Sequence, residues 1–208
     1  DKPVGVLYGR LPGFGLAELG HAMAARAAEY LVDSGADIAR VISSPLLRAQ
    51  LTAAPTAAAY DLSIQSDPRL IESDNVFEGL PVNTNRAMLA NPKYYKYYCN
   101  PLRPSWGEPY RDIASRMSAA LSSALREARG REALVVSHQN PIVTLTRFVN
   151  GQPLAHAPKS RHCALASITS FIFSGATLVG TSYAEPAADL VAIAKDMTPG
   201  DSQADLRR

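Results

Sequence analysis

The chain has 208 residues, is 47% hydrophobic and balances 21 basic against 19 acidic residues for a formal charge of +2. That composition excludes a disordered chain and is enough for one α/β domain with a sizeable core. The two signs of charge are mixed along the sequence, so no basic stripe for nucleic acid exists, and no apolar run approaches the roughly 20 residues that cross a bilayer.

Leu16 to Val32 reads as a helix, because Leu19, Met23, Ala27, Tyr30 and Leu31 fall near one face and Gly35 supplies a stop. Ile38 to Ser43 follows as a strand. Arg48 to Tyr60 is Ala-rich and helical, with Pro55 expected to kink or restart it. Leu62 to Ser66 alternates apolar and polar, the period of a strand. From residue 81 to residue 104, Pro92, Pro101 and Pro104 with Tyr94, Tyr95, Tyr97 and Tyr98 suggest an inserted cap that either covers a site or packs onto the body. Asp112 to Arg129 returns to helical spacing and Gly130 ends it. Ala133 to Ser137 is a strand, Pro141 to Val149 a helix, and Ala164 to Phe173 with Ala176 to Tyr183 a strand pair turning at Ser174-Gly175. Residues 186–208 lose periodicity and read as a loose extension. There is no internal repeat, and a single domain over 1–208 is expected.

Two strings carry chemistry: Ser44-Pro45-Leu46-Leu47-Arg48-Ala49 with Thr52, and Val135-Val136-Ser137-His138-Gln139-Asn140-Pro141. Each places a cationic or protonatable group just past an apolar strand, so Arg48 and His138 are expected at the carboxyl edge of one parallel sheet, where α/β proteins bind ligands. A guanidinium fork and an imidazole together suit a tetrahedral oxyanion such as phosphate. Arg10, in the turn-rich Tyr8-Gly9-Arg10-Leu11-Pro12-Gly13, either contacts a substrate carboxylate or phosphate or serves a surface turn. Ser137 is not read as a nucleophile, since no Gly-x-Ser-x-Gly elbow surrounds it. His21, His156 and His162 lack ligand spacing and read as surface residues, and Cys99 and Cys163 lack CxxC spacing and read as free thiols. No metal and no cofactor is expected.

Together these strings resemble the histidine phosphatase superfamily, the phosphoglycerate-mutase-like fold. Leu16-Ala17-Glu18-Leu19-Gly20 is similar to its Leu-Thr-x-x-Gly helix start. Leu70-Ile71-Glu72 with Phe77-Glu78-Gly79 is similar to its acid loop, and Trp106-Gly107-Glu108 with Arg116 to its Gly-Glu-Ser helix entry. Asp74-Asn75-Val76 departs from the glycine-containing stretch of that loop. The resemblance implies a three-layer α/β/α fold with a mostly parallel central sheet, helices on both faces and a small inserted cap. It implies that Arg48 and His138 bind phosphate, and that Glu72, ahead of its rival Glu78, donates the proton. The family's nucleophile is the histidine of an Arg-His-Gly triplet. None occurs in residues 1–208, so that strand is expected upstream of Asp1.

The activity implied is a metal-independent phosphomonoesterase that takes a small phosphorylated metabolite through a phosphohistidine. A phosphoglycerate-mutase-type phosphotransferase and a non-catalytic anion-binding member are the alternatives. The only partner expected is that small substrate, with no nucleic acid and no membrane; a homo-oligomer is left open, and a cytoplasmic location is expected.

Overall fold

A computed structural model describes residues 6–81, 91–97, 107–156 and 161–194. In chain order it contains α1 (Glu18–Asp33), β1 (Ile38–Ser43), α2 (Leu47–Ala59), β2 (Ile64–Ser66), α3 (Tyr110–Ala128), β3 (Glu132–Val136), α4 (Gln139–Val149), β4 (Ile168–Ser174), β5 (Thr177–Ala184) and α5 (Ala188–Ile193). Short 3-10 turns stand at Pro68–Leu70 and Pro92–Tyr97.

Three parallel strands form the central sheet in the order β2-β1-β3. The strand between the other two is the most buried, with five of the six residues of β1 inaccessible. Ile42 points to one face and joins Leu70, Ile113, Met117, Ala120, Ala124 and Leu145, which brings α3 and α4 onto that side. Ile38 and Val41 join Ala53 and Ala57 of α2 on the opposite face. Residues three apart in a regular strand would face opposite ways. A bulge between Ile38 and Arg40 in the register with β3 resets the alternation and lets both reach α2. The small residues of α2 allow this close approach. The structure is thus the expected α/β/α sandwich, with α1 packed outside α2. Truncating Ile113, which is fully buried at the centre of the larger cluster, is worth about 2–5 kcal/mol.

Several expectations are sharpened. The α2 helix runs unbroken through Pro55. The left-handed residue that stops α3 is Arg129 at φ 53°, with Gly130 following at φ 85°. Strands β4 and β5 form an antiparallel ribbon of their own, with a register shift at Ile172/Phe173, and Phe171 packs on the larger core cluster. Residues 186–194 are not loose: Ala187 is buried, α5 follows it, and Asp189 pairs with Arg26 of α1 at 3.7 Å. An aperiodic sequence hid this because the element is less than two turns long. Most of the proposed cap, together with Trp106, Cys99 and residues 195–208, lies outside the described residues. Within the cap, Tyr94 is buried edge-on against Phe77 at 5.3 Å, whereas Tyr95 is exposed. Among the described residues no helix is long and apolar enough to cross a membrane.

Candidate active site

Both motif strands end at the same sheet edge, because β1 and β3 are parallel and in register up to Ser43 and Val136. Ser44 continues the pairing by donating its N–H to the Val136 carbonyl at 2.9 Å. The chain then turns into α2 on one side and α4 on the other. Arg48 therefore meets His138 across the edge, with one guanidinium NH2 3.3 Å from Nδ1. The same NH2 donates to the Gly9 carbonyl at 2.8 Å, and the guanidinium carbon stands 5.2 Å above the Tyr8 ring. Its other terminal nitrogen, NH1, is buried with no partner.

His138 is 7% exposed. Because a guanidinium only donates, Nδ1 must accept, which places the ring proton on Nε2 and makes Nε2 the donor to Ser44 Oγ at 2.8 Å. Burial first, then the charges of Arg48 and Arg116, lower its pKa from 6.5 to about 3. The imidazole is neutral at physiological pH. Burial likewise lowers the proton affinity of Arg48, against the pull of Glu72, Tyr8 and Glu78. A guanidinium nevertheless stays charged, and a desolvated cation with a spare donor is an anion seat.

Glu72 arrives on the loop after the 3-10 turn Pro68–Leu70, which Asp67 caps by accepting the Arg69 N–H at 2.9 Å. Its Oε1 accepts from the Ser73 N–H at 2.8 Å and the Ser73 hydroxyl at 3.2 Å. Burial raises its pKa above the usual carboxylate range, outweighing Ser73, Arg48 and Arg161, which all favour the ionised form. A carboxyl whose proton affinity burial raises thus shares a neighbourhood with a cation and a neutral imidazole.

A network behind the site holds that loop. Arg116 of α3 donates to the carbonyls of Arg69 and Ile71 at 2.6 and 2.7 Å and forks onto both oxygens of Glu108 at 2.8 and 2.9 Å. Arg10 joins from the other side, with NH2 on Glu108 at 2.8 Å and Nε on the Glu72 carbonyl at 2.7 Å. Glu78 accepts the Arg10 N–H at 2.8 Å and lies so close to Gly9, at φ 36°, that a Cβ there would stand 2.0 Å from its carboxyl. Gly107 meets the same requirement on the other flank, where a Cβ would lie 2.4 Å from the Asp74 carbonyl.

Arg48, His138 and Glu72 come together. Arg10 lies adjacent, bonded to the Glu72 loop, and Glu78 ties the Tyr8-Gly9-Arg10 turn to it. Residues not singled out from sequence are Tyr8, Ser44, Ser73 and Asn140. Ser44 and Asn140 stand inside the two motifs, but their partners are distant in sequence. Of the remaining histidines, His21 and His162 are exposed, while His156 is half-buried, bonded to the Leu154 carbonyl and to Arg161, and tilted against the Tyr110 ring. That corrects its reading as a surface residue. Cys163 is a buried free thiol pushed up to about 11 by that burial. No cluster that could hold a metal ion occurs among the described residues.

Comparison with known proteins shows the family and the fold. The family model of the histidine phosphatase superfamily (branch 1) matches residues 3–185, and the chain belongs to that family. An uncharacterized protein of Mycobacterium tuberculosis, Rv0525, is 50% identical over 187 residues, covering 90% of this chain and 92% of its own length. A probable phosphoglycerate mutase of Yersinia pestis is 32% identical over 160 residues, 74% of this chain and 72% of that protein. Among solved structures, YhfR of Bacillus stearothermophilus superposes with TM-score 0.65 over 82% of this chain and 86% of its own at 24% identity. Mycobacterial glucosyl-3-phosphoglycerate phosphatase gives 0.59 over 73% and 76%, also at 24% identity. The fold is that of histidine phosphatases, whose members are phosphatases or mutases.

Proposed function

We propose that the protein is a metal-independent phosphomonoesterase acting on a small phosphorylated metabolite through a phosphohistidine. The observation that carries this reading is the buried, unpartnered NH1 of Arg48 beside a neutral His138. Arg48 has spent one terminal nitrogen on Gly9 and His138, which aims the guanidinium, and keeps the other for an anion. When a phosphate dianion enters, its charge favours protonation of His138 at Nδ1. The ring then changes from acceptor to donor and holds charge on the transferring oxygens.

The nucleophile in this reading is a histidine on a strand beyond residues 1–208. Strand β3 supports it: among the described residues β3 pairs only with β1, and its apolar residues Ala133 to Val136 are only half-buried, unlike those of β1. An apolar strand with one free edge beside the anion seat suits a neighbouring strand that delivers an imidazole. That imidazole attacks phosphorus as the ester P–O bond breaks, and Glu72 gives its proton to the leaving oxygen. Water then attacks the phosphohistidine with Glu72 taking its proton, which releases inorganic phosphate and restores both groups. Arg10 enters as the side chain that fixes the Glu72 main chain and lies beside a bound substrate.

Rapid quenching of the intact protein with phosphate-labelled substrate is expected to trap acid-labile phosphate on histidine. Absence of any such species during turnover overturns the mechanism. The resemblance to a phosphoglycerate mutase is tested in the same assay: release of phosphate from 3-phosphoglycerate without 2-phosphoglycerate supports a phosphatase, and isomerisation supports the mutase.

A further inference from the structure

Two side chains beside Glu72 have no part in the reaction so far. Ser73 follows it directly, and Asn140, the second residue of α4, is 9% exposed. Their hydrogen bonds run in one direction. Asn140 Nδ2 donates to Ser73 Oγ at 2.8 Å, and Ser73 Oγ donates in turn to Glu72 Oε1 at 3.2 Å. A hydroxyl has one proton, so a donor already placed on its oxygen leaves that proton for the carboxyl. With the Ser73 N–H at 2.8 Å, Glu72 Oε1 receives two hydrogens. A carboxyl proton on Oε1 would confront both of them.

We propose that Ser73 and Asn140 are positioning residues that distinguish the two oxygens of Glu72, holding Oε1 as a permanent acceptor and leaving Oε2 as the oxygen that gives and regains the proton. This rests on the reading of Glu72 as proton donor. In the first step the Oε2–H bond breaks as the leaving oxygen takes the proton, and the carboxylate left behind is already solvated by Ser73 on Oε1. In the second step Oε2 takes a proton from the attacking water. The assignment spares the carboxyl a search among its orientations at the moment of transfer.

Asn140 is hard to explain on stability alone. Its Oδ1 is buried without a partner, a liability that an aliphatic residue of the same size would avoid, and its one bond through the side-chain nitrogen goes to Ser73. The charged and titratable groups around Glu72 are separate from this chain. Arg48 reaches it from α2 and Arg161 from beyond α4, Arg10 holds its carbonyl, and the Cys163 thiol senses its charge. Substitution at 73 or 140 leaves all four in place.

The test uses the intact protein and kcat/KM against pH for two esters. p-Nitrophenyl phosphate loses a stable anion that needs no proton, whereas glycerol phosphate loses an alkoxide that does. Ser73→Ala and Asn140→Leu are expected to lose about tenfold on glycerol phosphate and less than about twofold on the aryl ester. The high-pH limb should move up by about one unit, because the hydroxyl that favours the carboxylate is removed or loses its orientation. Ser73→Thr, which keeps the hydroxyl, should restore both. Glu72→Gln separates the two claims. If it discriminates between the esters while Ser73→Ala does not, or if Ser73→Ala slows both equally with no pH shift, the positioning role is wrong and the proton donor stands. If Glu72→Gln slows both esters alike, the proton-donor reading falls and this proposal with it.

Discussion

Arg116 and Arg48 both stand by the Glu72 loop and differ in what they have left to give. Arg116 spends its guanidinium on two carbonyls and a forked carboxylate, all between 2.6 and 2.9 Å. Arg48 has one carbonyl and a long contact to an imidazole, and a buried nitrogen with nothing. Saturated cations hold loops; an unsaturated one waits for an anion. Burial alone does not separate the two roles, since both side chains are largely out of solvent, but counting donors does.

The contrast is sharpest if the two arginines are removed in turn. Arg48→Ala should lower kcat/KM for an aryl phosphate by about 10²–10³-fold, as removal of a preorganised transition-state donor does, while leaving the thermal midpoint nearly unchanged. A stable variant with full turnover would sink the assignment. Arg116→Ala should instead cost about 3 kcal/mol of stability, measured by urea unfolding, since it strands the carbonyls of Arg69 and Ile71 and half of Glu108's partners. If both variants lose stability equally, the distinction between a holding and a waiting arginine fails.

A third measurement addresses the neutral partner. His138 has its pKa depressed in the folded protein, from 6.5 to about 3, so between those values the unfolded chain binds more protons and stability falls as pH falls. From pH 7 to pH 5 its share of that loss is about 2 kcal/mol, and His138→Gln should flatten the profile by that amount. Glu72 acts in the opposite sense. Its raised pKa makes its contribution present at low pH and lost as pH rises through the folded value, so Glu72→Gln should leave the acid slope steeper relative to neutral pH. The smallest effect belongs to Arg131, whose pairing with Asp37 lies at the surface far from the loop. Arg131→Ala should change neither turnover nor salt-independent stability measurably.

Local pattern made some of this legible. The periodicities of α1 and α3, the extent of β1, and the approach of Arg48 to His138 follow from apolar spacing and from strings that end two parallel strands. What those residues do for one another was not legible. That Arg10 would brace the Glu72 carbonyl, 62 residues away, depends on Gly9 turning beside Glu78. That Ser73 and Asn140 would meet depends on α4 starting at the same edge as the acid loop.

Local residue order sets the helices and strands, α5 excepted, and the side chains that end at the sheet edge, because hydrophobic period and turn residues act over a few positions. Which arginine is saturated, which tautomer His138 holds and which oxygen of Glu72 is pinned emerge when the chain folds. Hydrogen-bond saturation is a property of neighbours in space, and each of these neighbours is set by contacts across dozens of residues.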